Sequence, residues 1–167
     1  MTPTFELTNL SAYRTYFSKI VDEATFLEFF AYTKEEFDKS GSGQRKGWCF
    51  ILEPYTAGIR DNGADSILSY NTGMFVIALK RTNQLKAYQI EDQAQVLAHK
   101  VIGRIRRDRR AYLLRTELSN WSMETIDPTA AAGYHGVLVK FEFYHPINKD
   151  MKFQESDWIQ EEESTEE

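Results

Sequence analysis

The chain has 167 residues, of which 42% are hydrophobic and 14% aromatic, so one domain with a substantial core is expected. No apolar run is long enough to cross a membrane, and the N-terminus lacks the basic start and apolar stretch of a secretory signal. The single cysteine, Cys49, excludes an intramolecular disulfide and favours a reducing compartment. We therefore expect a cytoplasmic protein that does not contact membranes.

Charge is distributed unevenly along the chain. Between Lys100 and Arg110 there are six basic residues and one acidic residue, whereas Glu155–Glu167 contains seven acidic residues and no basic one. Because the whole chain has a net charge of −5, removing these seven negative charges leaves +2. An acidic stretch of this composition is typical of a solvated terminus. We predict one domain over residues 1–150, followed by an acidic, flexible tail over residues 151–167.

The first predicted element is an amphipathic helix over Leu10–Val21. Asn9 or Ser11 can begin it, because their side-chain oxygens can accept a hydrogen bond from an unpaired first-turn N–H. Apolar residues recur along it at three- and four-residue spacing. They predict one buried face, formed by Leu10, Tyr13, Phe17 and Ile20.

A capping box predicts a second, short helix. The side chains of Thr33 and Glu36 have the spacing at which each accepts a hydrogen bond from the other's backbone N–H, and this helix extends to about Lys39. The later segment Trp48–Leu52 is apolar at odd and even positions alike, as in a strand that is covered on both faces. Pro54 is expected to end this strand, because proline has no N–H to donate.

Two further apolar stretches, Ile67–Tyr70 and Met74–Leu79, flank the segment Asn71–Gly73. Asparagine and glycine favour turns because both tolerate left-handed backbone conformations, so this arrangement predicts a β-hairpin. For the same reason, Asp61–Gly63 is a second turn signal.

The clearest element is a long amphipathic helix over Ile90–Arg110, and a weaker strand is predicted at Trp121–Ile126. The apolar stripe of the helix consists of Ile90, Ala94, Leu97, Val101 and Ile105. The last strand, Gly136–Tyr144, alternates and places on one face Val137, Val139, Phe141 and Phe143. These elements predict an α+β fold, with a single mostly antiparallel sheet on which the two main helices pack.

No catalytic motif is recognisable in the sequence. Metal-ligand spacing is absent among the three histidines, His99, His135 and His145. A nuclease-like site for a divalent metal could be formed by the acidic residues Glu53, Asp61 and Asp65. All three of these acids fall where turns are expected, so we predict no catalytic, metal-binding or cofactor-binding residues.

The sharpest local feature is the run of arginines at the end of the long helix, namely Arg104, Arg106, Arg107, Arg109 and Arg110. Such a run can bind nucleic-acid phosphates, it can be a solvated helix end that suits the helix dipole, or it can be an interface for acidic residues of another subunit. Of the two binding roles we favour the protein interface over DNA. The acidic tail would compete with phosphate, and only Tyr112 offers a nearby ring for stacking.

A helical repeat of 100° per residue spreads these arginines around the axis. With Ile105 facing the core, Arg104 and Arg106 are expected to flank the buried stripe. Arg107 and Arg110, three residues apart, should stack on one exposed side. This cluster suits a carboxylate partner on a neighbouring subunit but is narrow for a duplex.

The order of elements resembles that of the tail-terminator, or tail-completion, proteins of tailed bacteriophages. These proteins begin with a helix and continue with a proline-bounded strand, here Phe50–Pro54, and a longer apolar strand, here Met74–Leu79. An amphipathic helix follows, here Ile90–Arg110, and then a terminal strand, here Gly136–Phe143. The resemblance covers Leu10–Tyr144 and is one of layout, without a diagnostic motif.

The resemblance implies a structural subunit of a virion, either a tail terminator or another neck component, that is assembled in the host cytoplasm. Tail terminators form a six-fold ring that caps the finished tail tube, so the implied partners are further copies of the chain and other tail or neck proteins. A ring needs a heterologous interface, in which one patch meets a different patch on the neighbour. The alternatives are a nucleic-acid-binding accessory protein that uses Arg104–Arg110, and a small enzyme with an unrecognised site.

Overall fold

A computed structural model describes residues 4–40, 45–61, 67–126 and 133–147. Within these ranges the chain forms three helices, α1 (Leu10–Glu23), α2 (Lys34–Lys39) and α3 (Ala87–Arg110). The strands of the same ranges are β1 (Phe29–Tyr32), β2 (Cys49–Asp61), β3 (Ile67–Lys80), β4 (Leu118–Thr125) and β5 (Tyr134–Pro146). None of the helices described here has the length and apolar composition that crossing a membrane requires.

The strands form one mixed sheet in the order β1-β2-β3-β5-β4. β1 runs parallel to β2, and every other neighbouring pair is antiparallel. The prediction of an α+β fold with a mostly antiparallel sheet and two main helices is therefore confirmed. β1 and β4 are the outer strands of the described sheet.

The main core lies on one face of the sheet, beneath α1 and α3. The predicted stripe of α3 and the predicted apolar face of β5 are both buried. α1 contributes three of the four residues predicted for its buried face, Tyr13, Phe17 and Ile20. Leu10 is exposed instead, because it is the first residue of the helix, directly after the Asn9 cap.

Phe141 of β5 lies at the centre of this core. Its ring centroid is 5.7 Å from that of Phe17 in α1, 6.2 Å from Phe75 in β3 and 5.1 Å from Trp121 in β4. Its cross-strand partner on β3 is Gly73, where an added Cβ atom would lie only 2.6 Å from the Phe141 ring. The absence of a side chain at Gly73 therefore makes room for the ring.

The predicted hairpin around Asn71–Gly73 is wrong. β3 runs through these residues as one continuous strand that pairs with β2 on one side and with β5 on the other. Asparagine and glycine, which usually mark a turn, here make packing and polar contacts inside the sheet. Gly73 accommodates Phe141, and the side-chain amide nitrogen of the buried Asn71 lies 3.2 Å from Nδ1 of His145.

The prediction that Pro54 ends its strand is also wrong. β2 continues past Pro54, and its pairing with β3 shifts register between Glu53 and Thr56. Pro54 lies in this irregularity, where no ladder hydrogen bond needs the N–H that proline lacks. Of the turn signal Asp61–Gly63, Asp61 is the last residue of β2, and the other two residues lie outside the described part.

The start of α2 is tied to two strands. As predicted, the Thr33 hydroxyl accepts a hydrogen bond from the N–H of Glu36 at 3.2 Å. The Glu36 carboxylate accepts from the N–H of Tyr32, the last residue of β1, rather than from Thr33. Glu53 of β2 accepts from the N–H of Lys34 at 2.9 Å. β1 itself is not among the predicted strands.

Replacing Gly73 with alanine should lower the free energy of unfolding by about 2 kcal/mol, because the methyl group would collide with the Phe141 ring. Gly103 is the matched control. It lies in α3 with no atom within 4 Å of the position of an added Cβ, so Gly103→Ala should raise stability by about 0.5–1 kcal/mol. Chemical denaturation followed by circular dichroism measures both changes. An unchanged stability of Gly73→Ala would contradict the buried, continuous strand.

Candidate functional site

The arginine run at the end of α3 divides into two environments. Arg104 is partly buried and forms ion pairs within the chain. The other four are exposed, and none of them forms an ion pair with another described residue: Arg106, Arg107, Arg109 and Arg110. One arginine is therefore structural, and the other four have no acidic partner among the described residues.

Arg104 is held by two carboxylates. Its Nε donates to both oxygens of Asp108 at 2.9 and 3.0 Å, and its Nη2 donates to Glu23 at 2.6 Å. The Tyr16 hydroxyl also donates to Asp108, at 3.2 Å. Asp108 is only 3% exposed, and a buried carboxylate is costly unless it is paired and hydrogen-bonded. This network ties the C-terminal end of α3 to α1.

The same contacts change the pKa values of two side chains. The hydrogen bond from Arg104 lowers the pKa of Glu23 below its ordinary value. Burial, followed by the neighbouring Asp108 carboxylate, raises the pKa of Tyr16. Near neutral pH, Glu23 is therefore charged and Tyr16 remains a neutral hydrogen-bond donor, so both keep their roles in the network.

α3 ends in a Schellman-type cap. The N–H of Leu113 donates to the carbonyl of Asp108 at 2.9 Å, and the N–H of Tyr112 donates to the carbonyl of Arg109 at 3.2 Å. Tyr112 has a φ of 58°, in the left-handed region where glycine is usual, and its side chain is 78% exposed. A costly conformation thus holds an aromatic ring in solvent beside the arginines, and such strain is common at functional positions.

A groove of about 420 Å³ lies between the end of α3 and the start of β4, and we call it the basic groove. α3 lines it with three arginines and two isoleucines, Arg106, Arg109, Arg110, Ile102 and Ile105. Residues 116–121 form the other wall, which includes one carboxylate, that of Glu117. The basic groove therefore concentrates positive charge next to the edge of the sheet.

Trp121 fixes the β4 wall of the basic groove to the core. Its ring centroid lies 5.1 Å from that of Phe141, and the Trp121 side chain is partly buried. Just before it, Asn120 has a φ of 50°, where the pairing of β4 with β5 is irregular. The Asn120 amide donates to Glu142 of β5, which secures this irregularity. Bulges of this kind re-aim side chains next to functional sites.

The chemistry of the basic groove is that of anion binding. A guanidinium group can pair with a carboxylate or a phosphate through two parallel hydrogen bonds. Trp121 adds an aromatic surface on which an apolar side chain or a base can pack. The groove therefore suits an acidic peptide segment or a phosphate backbone.

The structure groups the arginines differently from the expectation based on the helical repeat. Arg106 joins Arg109 and Arg110 in the basic groove, whereas Arg107 lies outside the groove lining and its charge acts on Glu23. This grouping arises because the segment leading into β4 lies along the side of α3 that carries Arg106, Arg109 and Arg110. Trp121 was not predicted as part of the site, because it is distant in sequence and only the folded sheet brings it beside α3.

The other residues considered for chemistry are dispersed. His99 is exposed on α3, whereas His135 and His145 are buried at opposite ends of β5. Glu53 serves as a hydrogen-bond acceptor at the start of α2, and Asp65 lies outside the described residues, as does the side chain of Asp61. Within the described ranges, no cluster of three or more His, Cys, Asp or Glu side chains could hold a metal ion.

A second surface lies on the opposite face of the sheet. This apolar groove has a volume of about 650 Å³, and its apolar lining includes Ile51, Pro54, Met74, Val76, Ala78, Ile126 and Leu138. α2 borders it through Phe37, whose ring packs edge-on against Tyr134 at 5.0 Å between centroids. Charged side chains also line it, namely Lys34, Asp38, Glu53 and Glu124.

Comparison of the sequence with protein-family models and with curated proteins finds no match.

Arg104→Ala should lower the free energy of unfolding by about 3 kcal/mol, because it leaves the buried Asp108 without its cationic partner. Arg107→Ala removes the same charge from a neighbouring, exposed position and should change stability by less than about 0.5 kcal/mol. Urea denaturation of both variants provides the comparison. Equal stabilities would mean that Arg104 is not structural and belongs with the partner-facing arginines.

Proposed function

We propose that the chain is a structural subunit of a phage or phage-like particle, and that it forms a ring at the head–tail junction or at the tail end. The layout supports this proposal, because a first helix, two long strands, an amphipathic helix and a terminal strand follow one another as α1, β2, β3, α3 and β5. One feature of the resemblance to tail terminators is missing, since β2 continues past Pro54.

The observation that carries the proposal is the presence of two unlike grooves on one subunit. The basic groove lies beside α3 and β4, and the apolar groove lies on the opposite face of the sheet. The basic groove is not complementary to itself, because its guanidinium groups would repel those of a second copy. A contact through it must therefore join unlike surfaces, and such heterologous contacts form rings when the rotation closes.

The edge of the sheet favours the same kind of assembly. β4 pairs only with β5 in the described sheet, so no other described strand uses the backbone groups along its outer edge, and a neighbouring chain could pair there. A neighbour bound along this edge would lie against the arginines of the basic groove. Its carboxylates would then set the orientation and the rate of assembly, while burial of apolar surface would supply most of the affinity.

A nucleic-acid-binding accessory protein is the second candidate, and Trp121 is the observation that favours it. Grooves that bind single-stranded nucleic acid combine positive charge along the backbone path with aromatic rings on which bases stack. The basic groove has both features, and the exposed ring of Tyr112 adjoins the same helix end. Bound phosphates would pair with the arginines that the ring proposal assigns to a neighbouring subunit.

The double variant Arg106→Glu/Arg110→Glu reverses the charge of the basic groove without changing the network around Asp108. We expect it to fold like the wild type but to lose self-association, because its groove repels the carboxylates that it should bind. Arg81→Glu/Lys46→Glu makes the same charge change on exposed residues at the other end of the sheet and should assemble normally. Sedimentation velocity over a concentration series and negative-stain electron microscopy measure assembly.

DNA binding separates the two candidates. Fluorescence anisotropy at two salt concentrations reports affinity for single-stranded and duplex DNA, and binding to phosphate weakens as salt rises. If the groove variant assembles like the wild type but loses a salt-sensitive DNA affinity, the accessory role is correct and the ring proposal is wrong. A wild-type chain that stays monomeric at every concentration also contradicts the ring.

A further inference from the structure

The three arginines of the basic groove have no anionic partner within 4 Å among the described residues. Arg106, Arg109 and Arg110 follow one another within little more than one turn of α3, so their charges repel one another. Glu117 is the single carboxylate among the residues that line the groove. This arrangement should attract an anionic occupant.

The same chain contains a segment of matching character, residues 155–167, which lies outside the described part. It has seven acidic residues and no basic one, and the apolar pair Trp158 and Ile159 lies among these acids. The basic groove has the complementary composition, since its arginines are accompanied by the apolar side chains of Trp121 and Ile102. Charge and apolar character therefore match between the segment and the groove.

The topology places the start of this segment within reach of the groove. Phe143, near the end of β5, pairs with Leu118, which is the first residue of β4 and lines the groove. Ile147 is four residues beyond Phe143 and thus about 14 Å from Leu118. The eight residues from Ile147 to Glu155 can span up to about 27 Å. The acidic segment can therefore reach the groove of its own chain.

We propose that the acidic segment 155–167 occupies the basic groove of its own chain when the subunit is isolated. Tethering gives the segment an effective concentration of the order of millimolar at the groove, so weak ion pairs are sufficient for binding. A partner that offers carboxylates or phosphates must displace the segment before it can bind. The occupant requires one copy of the chain only, so this inference does not depend on the proposed ring.

A spin label on the segment tests the proposal in the full-length chain. Ser164→Cys introduces a thiol for a nitroxide. Burial raises the pKa of the Cys49 thiol to about 11, so the native cysteine should stay unlabelled. In the dilute, monomeric protein we expect the nitroxide to remove most of the intensity of the Trp121 indole N–H signal in the NMR spectrum. The Trp48 signal, from the opposite end of the sheet, should be unaffected.

Two full-length variants provide the controls, each carrying the same label. Arg106→Glu/Arg110→Glu should restore the Trp121 signal, because the groove no longer attracts the segment. Changing the seven acids to the corresponding amides should also restore it.

A mixing experiment shows whether the acidic segment in the groove comes from the same chain or from another copy. A mixture of spin-labelled chain without ¹⁵N and unlabelled ¹⁵N chain should show no broadening of Trp121. Broadening of Trp121 in this mixture, as strong as in the singly composed labelled sample, would overturn the proposal and assign the segment to the groove of another copy. A Trp121 signal of full intensity in the labelled chain would overturn it as well. Because the protein is monomeric in the measurement, failure of the ring proposal would not change the result.

Discussion

The packing of Phe141 over Gly73 is the contact on which the rest of the structure depends. The Phe141 ring joins α1 through Phe17 and β4 through Trp121, while Gly73 of β3 provides the space for it. An added Cβ on Gly73 would lie 2.6 Å from the ring, so the two residue types depend on each other. β3 passes through this point as a continuous strand, with β2 and β5 on either side.

This central contact extends to the basic groove. Trp121 packs against Phe141 and also lines the groove, so the β4 wall is fixed to the core. The other wall is fixed by Arg104 and Asp108, which bind the end of α3 to α1 through Glu23 and a buried tyrosine. The groove arginines are thus presented on rigid elements, which reduces the reorganisation needed to bind an anion.

Periodicity was sufficient to predict α3 and β5, because a packed helix and a half-buried strand repeat their buried positions every 3.6 and every 2 residues. The turn signals misled at two places. Within Asn71–Gly73, the glycine makes room for a packed aromatic ring, and Pro54 lies where the pairing of β2 with β3 is irregular. The arginines of the candidate site are adjacent in sequence and could be predicted. Trp121 could not, because strand pairing brings it there, and the separate role of Arg104 depends on the burial of Asp108.

Cryo-electron microscopy of the assembled protein tests most directly whether copies of this chain join through unlike surfaces. We expect a closed ring in which the basic groove and outer β4 edge of each subunit contact a different surface of the next subunit. In such a ring the arginines would lie within hydrogen-bond distance of carboxylates on the neighbour. A two-fold dimer that joins β4 to β4, or a ring whose basic grooves all face solvent, would contradict this arrangement.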